Sequence, residues 1–168
     1  MTLDATQENL IVGVIGAGAM GRGIAQVAAT GGCTVKLFDT RSAATKEAID
    51  FINGMFNRAV EKKRMTADDS KSATNHLHAI SSMSDFSDCD VIIEAAVENL
   101  EIKRKIFAEL ESIVADDVIL ASNTSSLSNT TIASQCANPE RVAGFHFFNP
   151  VPLMKLVEVI NGVRTNPK

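Results

Sequence analysis

The sequence predicts an α/β fold, a doubly wound and mostly parallel sheet with helices on both faces. Three observations predict it. Short apolar runs rich in β-branched residues alternate with longer segments whose apolar positions recur at three and four residues. A glycine-rich turn, Gly16-Ala17-Gly18-Ala19-Met20-Gly21, stands between the first apolar run and the first helical segment. The last two apolar runs lie only a few residues apart, too close for a helical crossover, so they are expected to be antiparallel or to form a bend.

The elements follow in order. Leu10–Ile15 reads as a buried strand ended by Gly16. Ala19–Thr30 has helical spacing and closes at Gly31-Gly32, a C-cap signal. Thr34–Phe38 is a second strand, followed by Asp39. Ser42 is placed to cap a long helix from Ala43 to about Lys63, with Ile49, Phe51, Ile52, Phe56 and Val60 on its apolar face. Thr66 opens a short helix towards Leu77, and Ser84–Asp90 is turn-like. Val91–Ala95 is an apolar strand. Leu100–Val114 is an amphipathic helix striped by Ile102, Ile106, Leu110 and Ile113, with Glu101 and Lys105 paired outside. Val118–Ser122 is a strand and Ser128–Ala133 a short helix. Arg141–His146 and Leu153–Ile160 are the closing strands. Without repeats or linkers, residues 1–168 read as one domain, with a polar lead over 1–9 and a helical excursion over 43–77.

Composition narrows the function. A chain of 168 residues, 45% hydrophobic and 21% charged, has the make-up of an ordinary globular domain. A net charge of −4 argues against a nucleic-acid partner, and so does an aromatic set made only of Phe. No apolar run approaches the ~20 residues of a membrane span. Cys33, Cys89 and Cys136 form no C-x-x-C pair, so they read as small hydrophobes in a reducing compartment and no metal site is expected. The lead has neither an apolar core nor an Arg bias, so a cytoplasmic location is expected.

The glycine turn carries the first chemical signal. G-x-G-x-x-G alone is weak. Here it follows a strand, opens a helix, and precedes by about 20 residues an acid at the end of the next strand. Gly16 permits the turn, Gly18 lets a pyrophosphate approach the backbone, and Gly21 lets helix and strand close up. The helix N-terminus then offers N–H groups to the phosphates. Asp39 is suited to the ribose hydroxyls and would repel a 2′-phosphate, which favours NAD over NADP, although Arg41 nearby could receive such a phosphate.

A second cluster points to proton transfer. His76 and His78 lie in a polar stretch and read as surface residues. His146 ends a strand at the edge where ligands bind, with an imidazole suited to take a hydroxyl proton. Alternation along Leu153–Ile160 puts Glu158 on one face with Met154, Leu156 and Ile160, a costly place for a carboxylate without a partner. If the two strands fold back on each other, His146 can be that partner; otherwise Glu158 is an edge-strand residue reaching solvent. Ser122–Ser126 closes another strand and could bind a substrate oxygen or cap the next helix. By spacing alone, Glu98 and Lys103 read as surface charges.

Gly16–Gly21, Glu94–Lys103 (EAAVENLEIK), Ser122–Leu127 (SNTSSL) and His146–Glu158 (HFFNPVPLMKLVE) occur in this order. Together they resemble the NAD-binding domain of the L-3-hydroxyacyl-CoA dehydrogenases, 3-hydroxybutyryl-CoA type included. The resemblance runs from Leu10 to Val163 and rests mainly on H-F-F-N-P and S-N-T-S-S. It implies an eight-stranded Rossmann sheet with a helical excursion after the second strand. It implies an oxidoreductase of fatty-acid β-oxidation that moves hydride between C3 of an acyl-CoA and NAD. By the same resemblance His146 is the general base, Glu158 its partner, and Ser125 the contact to the substrate hydroxyl and the nicotinamide. Asn149 places the nicotinamide and the catalytic groups, while Glu98 and Lys103 lie on the cofactor, beside Gly16 to Gly21 and Asp39. Lys62, Lys63 and Arg64 are the basic candidates for CoA. The family's C-terminal helical domain, which closes the acyl site and forms a homodimer, is expected to be absent, so the chain is expected to bind NAD and turn over weakly. Two rivals are another dehydrogenase of the 3-hydroxyisobutyrate or 6-phosphogluconate type, and a module that senses NAD(H) without catalysis. The His–Glu pair speaks against the former, and His146, Ser125 and Glu158 together against the latter.

Overall fold

Apolar runs too short for helices bury themselves by pairing side by side, and they do so here in one sheet. The computed structural model describes residues 6, 7 and 9–166. Residues 1–5 and 8 of the polar lead lie outside that range. The strands are β1 (Ile11–Ile15), β2 (Thr34–Phe38), β3 (Leu77–Ala79), β4 (Val91–Glu94), β5 (Ile119–Ser122), β6 (Val142–Phe147) and β7 (Val157–Asn161). The sheet order is β3-β2-β1-β4-β5-β6-β7, parallel throughout except for the antiparallel β6–β7 pair. The order reverses between β1 and β4, the switch point at which such sheets bind ligands.

The helices are α1 (Ala19–Thr30), α2 (Ser42–Glu61), α3 (Ala67–Asn75), α4 (Leu100–Glu111) and α5 (Asn129–Ala133). They bury two cores. One, under α1 to α3, centres on Val14, Ile24, Leu37, Ile52 and Phe56. The other, under α4 and α5, centres on Ile15, Phe86, Ile92, Phe107 and Leu120. Side chains cap α3, α4 and α5 through Thr66, Asn99 and Ser128.

The structure departs from the sequence reading in four places. The helical excursion ends in a strand, β3, which three residues of little apolar character did not announce. Ser42 is the first residue of α2 rather than its cap, and Arg41 occupies the cap position without a side-chain bond. The last strand begins at Val157, because Leu153 lies in a turn closed onto the Pro150 carbonyl. Among the described residues the sheet has seven strands, not eight, and β7 is its edge. Met154, Leu156 and Ile160 therefore face solvent instead of packing around Glu158.

Candidate active site

The phosphate turn is built from backbone constraints. Gly16 has φ +97°, and a Cβ there would stand 2.5 Å from the Ala95 carbonyl oxygen. Its amide donates to the Phe38 carbonyl at 2.8 Å, tying the turn to the end of β2. A Cβ on Gly21 would come within 1.7 Å of the Gly16 oxygen, so α1 meets β1 only with glycine there. Gly18 is different: its missing Cβ points into space with no atom within 4 Å. Gly18 also forms the N-cap of α1, and no side chain occupies the helix N-terminus. Open space, uncapped N–H groups and the positive end of the helix dipole fit a pyrophosphate.

Asp39 sits beside this turn. Its Oδ2 accepts from the Ala17 amide at 2.8 Å and its Oδ1 from the Arg41 amide at 2.9 Å. A carboxylate has about four lone-pair sites, so each oxygen can still take a ribose hydroxyl. The Arg41 side chain is exposed at the start of α2.

Across the switch point lies a cleft of about 350 Å3 lined by Met20, Ala96, Ser125, His146, Phe148 and Asn149, with Glu98 and Lys103 along its wall. The antiparallel register sets His146 directly opposite Glu158. Their side chains meet, Nδ1 to Oε2, at 2.8 Å. Glu158 is 50% exposed and His146 19%. Phe148 packs against the imidazole with ring centroids 4.6 Å apart and the planes tilted by 57°. Glu158 on Nδ1 makes that nitrogen the donor and leaves the Nε2 lone pair free, the form a general base needs. Asn123 was not singled out from the sequence, yet its Oδ1 accepts from the Phe147 amide at 2.8 Å and ties the loop after β5 to the end of β6. Ser125 is exposed, and Thr124 carries the loop's internal bonds to Ser126 and Leu127.

The surface reading of Lys103 is overturned. Lys103 is 1% exposed, and its ammonium meets both oxygens of the fully buried Glu94, at 2.7 and 2.9 Å. It also reaches Glu98 at 3.4 Å. Spacing could not show this, because the main partner is nine residues back on another element. Glu98 accepts from the Thr124 hydroxyl and from Ser126. Partial burial pushes its carboxyl up, but these bonds and the Lys103 charge outweigh that and hold it below the ordinary value. Lys62, Lys63 and Arg64 are exposed beyond the end of α2.

The fold and the glycine turn define a Rossmann-type dinucleotide-binding domain, with a hydrogen-bonded His–Glu pair at the edge of its cleft. The chain belongs to the family of 3-hydroxyacyl-CoA dehydrogenase NAD-binding domains, whose model matches residues 11–168. It is 48% identical over 155 residues to the 3-hydroxybutyryl-CoA dehydrogenase of Bradyrhizobium diazoefficiens, covering 92% of this chain and 53% of that protein. It is 45% identical over 154 residues to the 3-hydroxyadipyl-CoA dehydrogenase of Escherichia coli, covering 92% of this chain and 32% of that one. The crystal structure of an E. coli 3-hydroxybutyryl-CoA dehydrogenase superposes with a TM-score of 0.94 at 43% identity, over 96% of this chain and 34% of the other. The chain thus spans about half the length, or less, of these relatives. Among the described residues, no helix is long and apolar enough to cross a membrane.

Proposed function

We propose that this chain is the cofactor-binding and proton-transfer half of an NAD-dependent 3-hydroxyacyl-CoA dehydrogenase. The observation that carries the reading is the 2.8 Å contact of His146 with Glu158, with His146 lining a cleft that reaches Met20 of the phosphate turn. Gly16, Ala17, Gly18, Ala19, Met20 and Gly21 cradle the pyrophosphate, and Asp39 takes the adenosine ribose. NAD, when bound, supplies the hydride acceptor. His146 takes the 3-hydroxyl proton on Nε2 as C3 gives up its hydride, and the Glu158 carboxylate stabilises the imidazolium that results. In the reductive direction the imidazolium returns the proton to the developing alkoxide. Ser125 orients the substrate oxygen, and Asn149 orients the nicotinamide. An acyl-CoA is the second ligand, with Lys62, Lys63 and Arg64 as basic candidates for its phosphates. Homodimerisation through a C-terminal domain and a cytoplasmic location complete the reading.

An NADH fluorescence titration, run in parallel with NADPH, tests the cofactor half, and the absence of Trp and Tyr keeps the background low. Saturable binding that prefers NADH is expected. Acetoacetyl-CoA-dependent NADH oxidation by the longer enzyme tests the chemistry. Turnover that survives His146→Ala would remove the proton-transfer role.

A further inference from the structure

The phosphate turn leaves one glycine of α1 unexplained. Gly23 lies in the second turn of the helix, where glycine is less favourable than alanine. Its bare face is filled by Val151, from the loop between β6 and β7. A Cβ on Gly23 would stand 2.8 Å from the Val151 Cβ and 3.0 Å from its Cγ2, with the Pro152 Cδ next at 3.7 Å. Val151 is 5% exposed and belongs to the core under α1, although its neighbours Asn149, Pro150, Pro152 and Leu153 are all exposed. It is a single plug that seats an otherwise exposed loop in the side of the helix.

The plug is one of two points that hold this loop. The Phe147 amide is held by Asn123 at 2.8 Å, and Val151 is held by Gly23. Between them stands Asn149, which lines the cleft and whose side chain has no hydrogen bond to any described residue. Its place is therefore set by its backbone, and only Pro150, with its ring-fixed φ, separates it from the plug. The helix cannot give way, because at Gly21 it already stands against the Gly16 oxygen. Valine is stiff at χ1, so any added bulk at Gly23 moves the loop. We propose that Gly23 is a positioning residue: by seating Val151 it sets where Asn149 meets the nicotinamide. The proposal rests on the NAD reading above, with Asn149 as the nicotinamide contact. Gly23 and Val151 do not themselves line the cleft.

The test titrates the whole chain with NADH and with ADP, which lacks the nicotinamide end. Carbon atoms in contact sit about 3.5–4.0 Å apart, so Gly23→Ala must push the loop back by roughly half an ångström or more. NADH affinity is expected to fall about fivefold, the loss of one neutral hydrogen bond, while ADP affinity stays within about twofold. Asn149→Ala should show the same NADH-selective loss. Gly23→Ala added to Asn149→Ala should weaken NADH no further, because the contact it displaces is already gone. If Gly23→Ala weakens ADP and NADH alike, Gly23 serves the fold alone and the proposal falls. It falls equally if NADH binding is unchanged, or if the two losses multiply in the double variant. Should Gly23→Ala fail to melt cooperatively, Val151→Ala shrinks the plug and leaves α1 untouched. It must give the same NADH-selective loss, and an equal loss of ADP, or no loss, overturns the proposal. If Asn149→Ala binds NADH normally, the nicotinamide contact and this proposal fall while the cofactor reading stands. Failure of the unaltered chain to bind either nucleotide removes all three together.

Discussion

Alanine at Gly18 and at Gly21 should separate binding from folding within a single turn. At Gly21 a Cβ would lie 1.7 Å from the Gly16 oxygen, more than an ångström inside any tolerable contact. Both atoms sit on backbone fixed by β1 and α1, so no side chain can rotate away. The helix must back off from the strand, at a cost of ~3 kcal/mol or more. For a chain of this size that lowers the melting temperature by roughly 6–12 °C. At Gly18 the same methyl meets nothing within 4 Å, and the backbone, at φ −69° and ψ −170°, suits any residue. Gly18→Ala should therefore melt within about 2 °C of wild type, since the capping loss and the chain-entropy gain, each about 0.5–1 kcal/mol, oppose each other. Yet the methyl fills the space against the uncapped helix N-terminus, so NADH affinity should fall by at least about tenfold. Thermal melts by circular dichroism and NADH titrations check both. A Gly18→Ala chain that binds NADH normally would show that no phosphate lies against that glycine. A Gly21→Ala chain with an unchanged melt would refute the packing argument.

Three further outcomes are expected. Asp39→Ala should weaken NADH about tenfold or more while NADPH changes less, narrowing the preference between them in parallel titrations. Glu98 is held below its ordinary value of 4.5, so its contribution to stability is present above that pH and is lost as pH falls through the lower folded value. Glu98→Gln should flatten that part of the acid dependence in melts followed from pH 6 downwards. Burial pushes the thiols of Cys89 and Cys136 up to about 12 and about 11, leaving about one thiolate in a thousand or fewer at pH 8. Ellman's reagent should find both unreactive until the chain is unfolded.

Much of this molecule is legible in its residues, for identifiable reasons. Strands β1, β4 and β5 are dense apolar runs because a sheet covered on both faces requires them. The roles of Gly16 and Gly21 are legible because each answers a local steric need. The His146–Glu158 pair could be read because a two-strand return is a short-range event. What escaped is long-range. β3 exists only because β2 offers it a ladder, and its Leu-His-Ala carries almost no signal. Lys103 looked like a surface charge because its partner, Glu94, ends a strand on the far side of a loop. The clamp by Asn123 joins loops 24 residues apart, and no spacing rule points to it.

Because, among the described residues, β7 is held from one side only and all five of its residues are exposed, the His146–Glu158 pair inherits the stability of a sheet margin. Each time the margin frays, Glu158 withdraws and the imidazole loses the contact that fixes its tautomer. The fraction of time the pair is closed should then follow the hydrogen-exchange protection of the Val157–Asn161 amides rather than that of the core. Anything that clasps this edge would tune the chemistry from a distance, without touching the cleft.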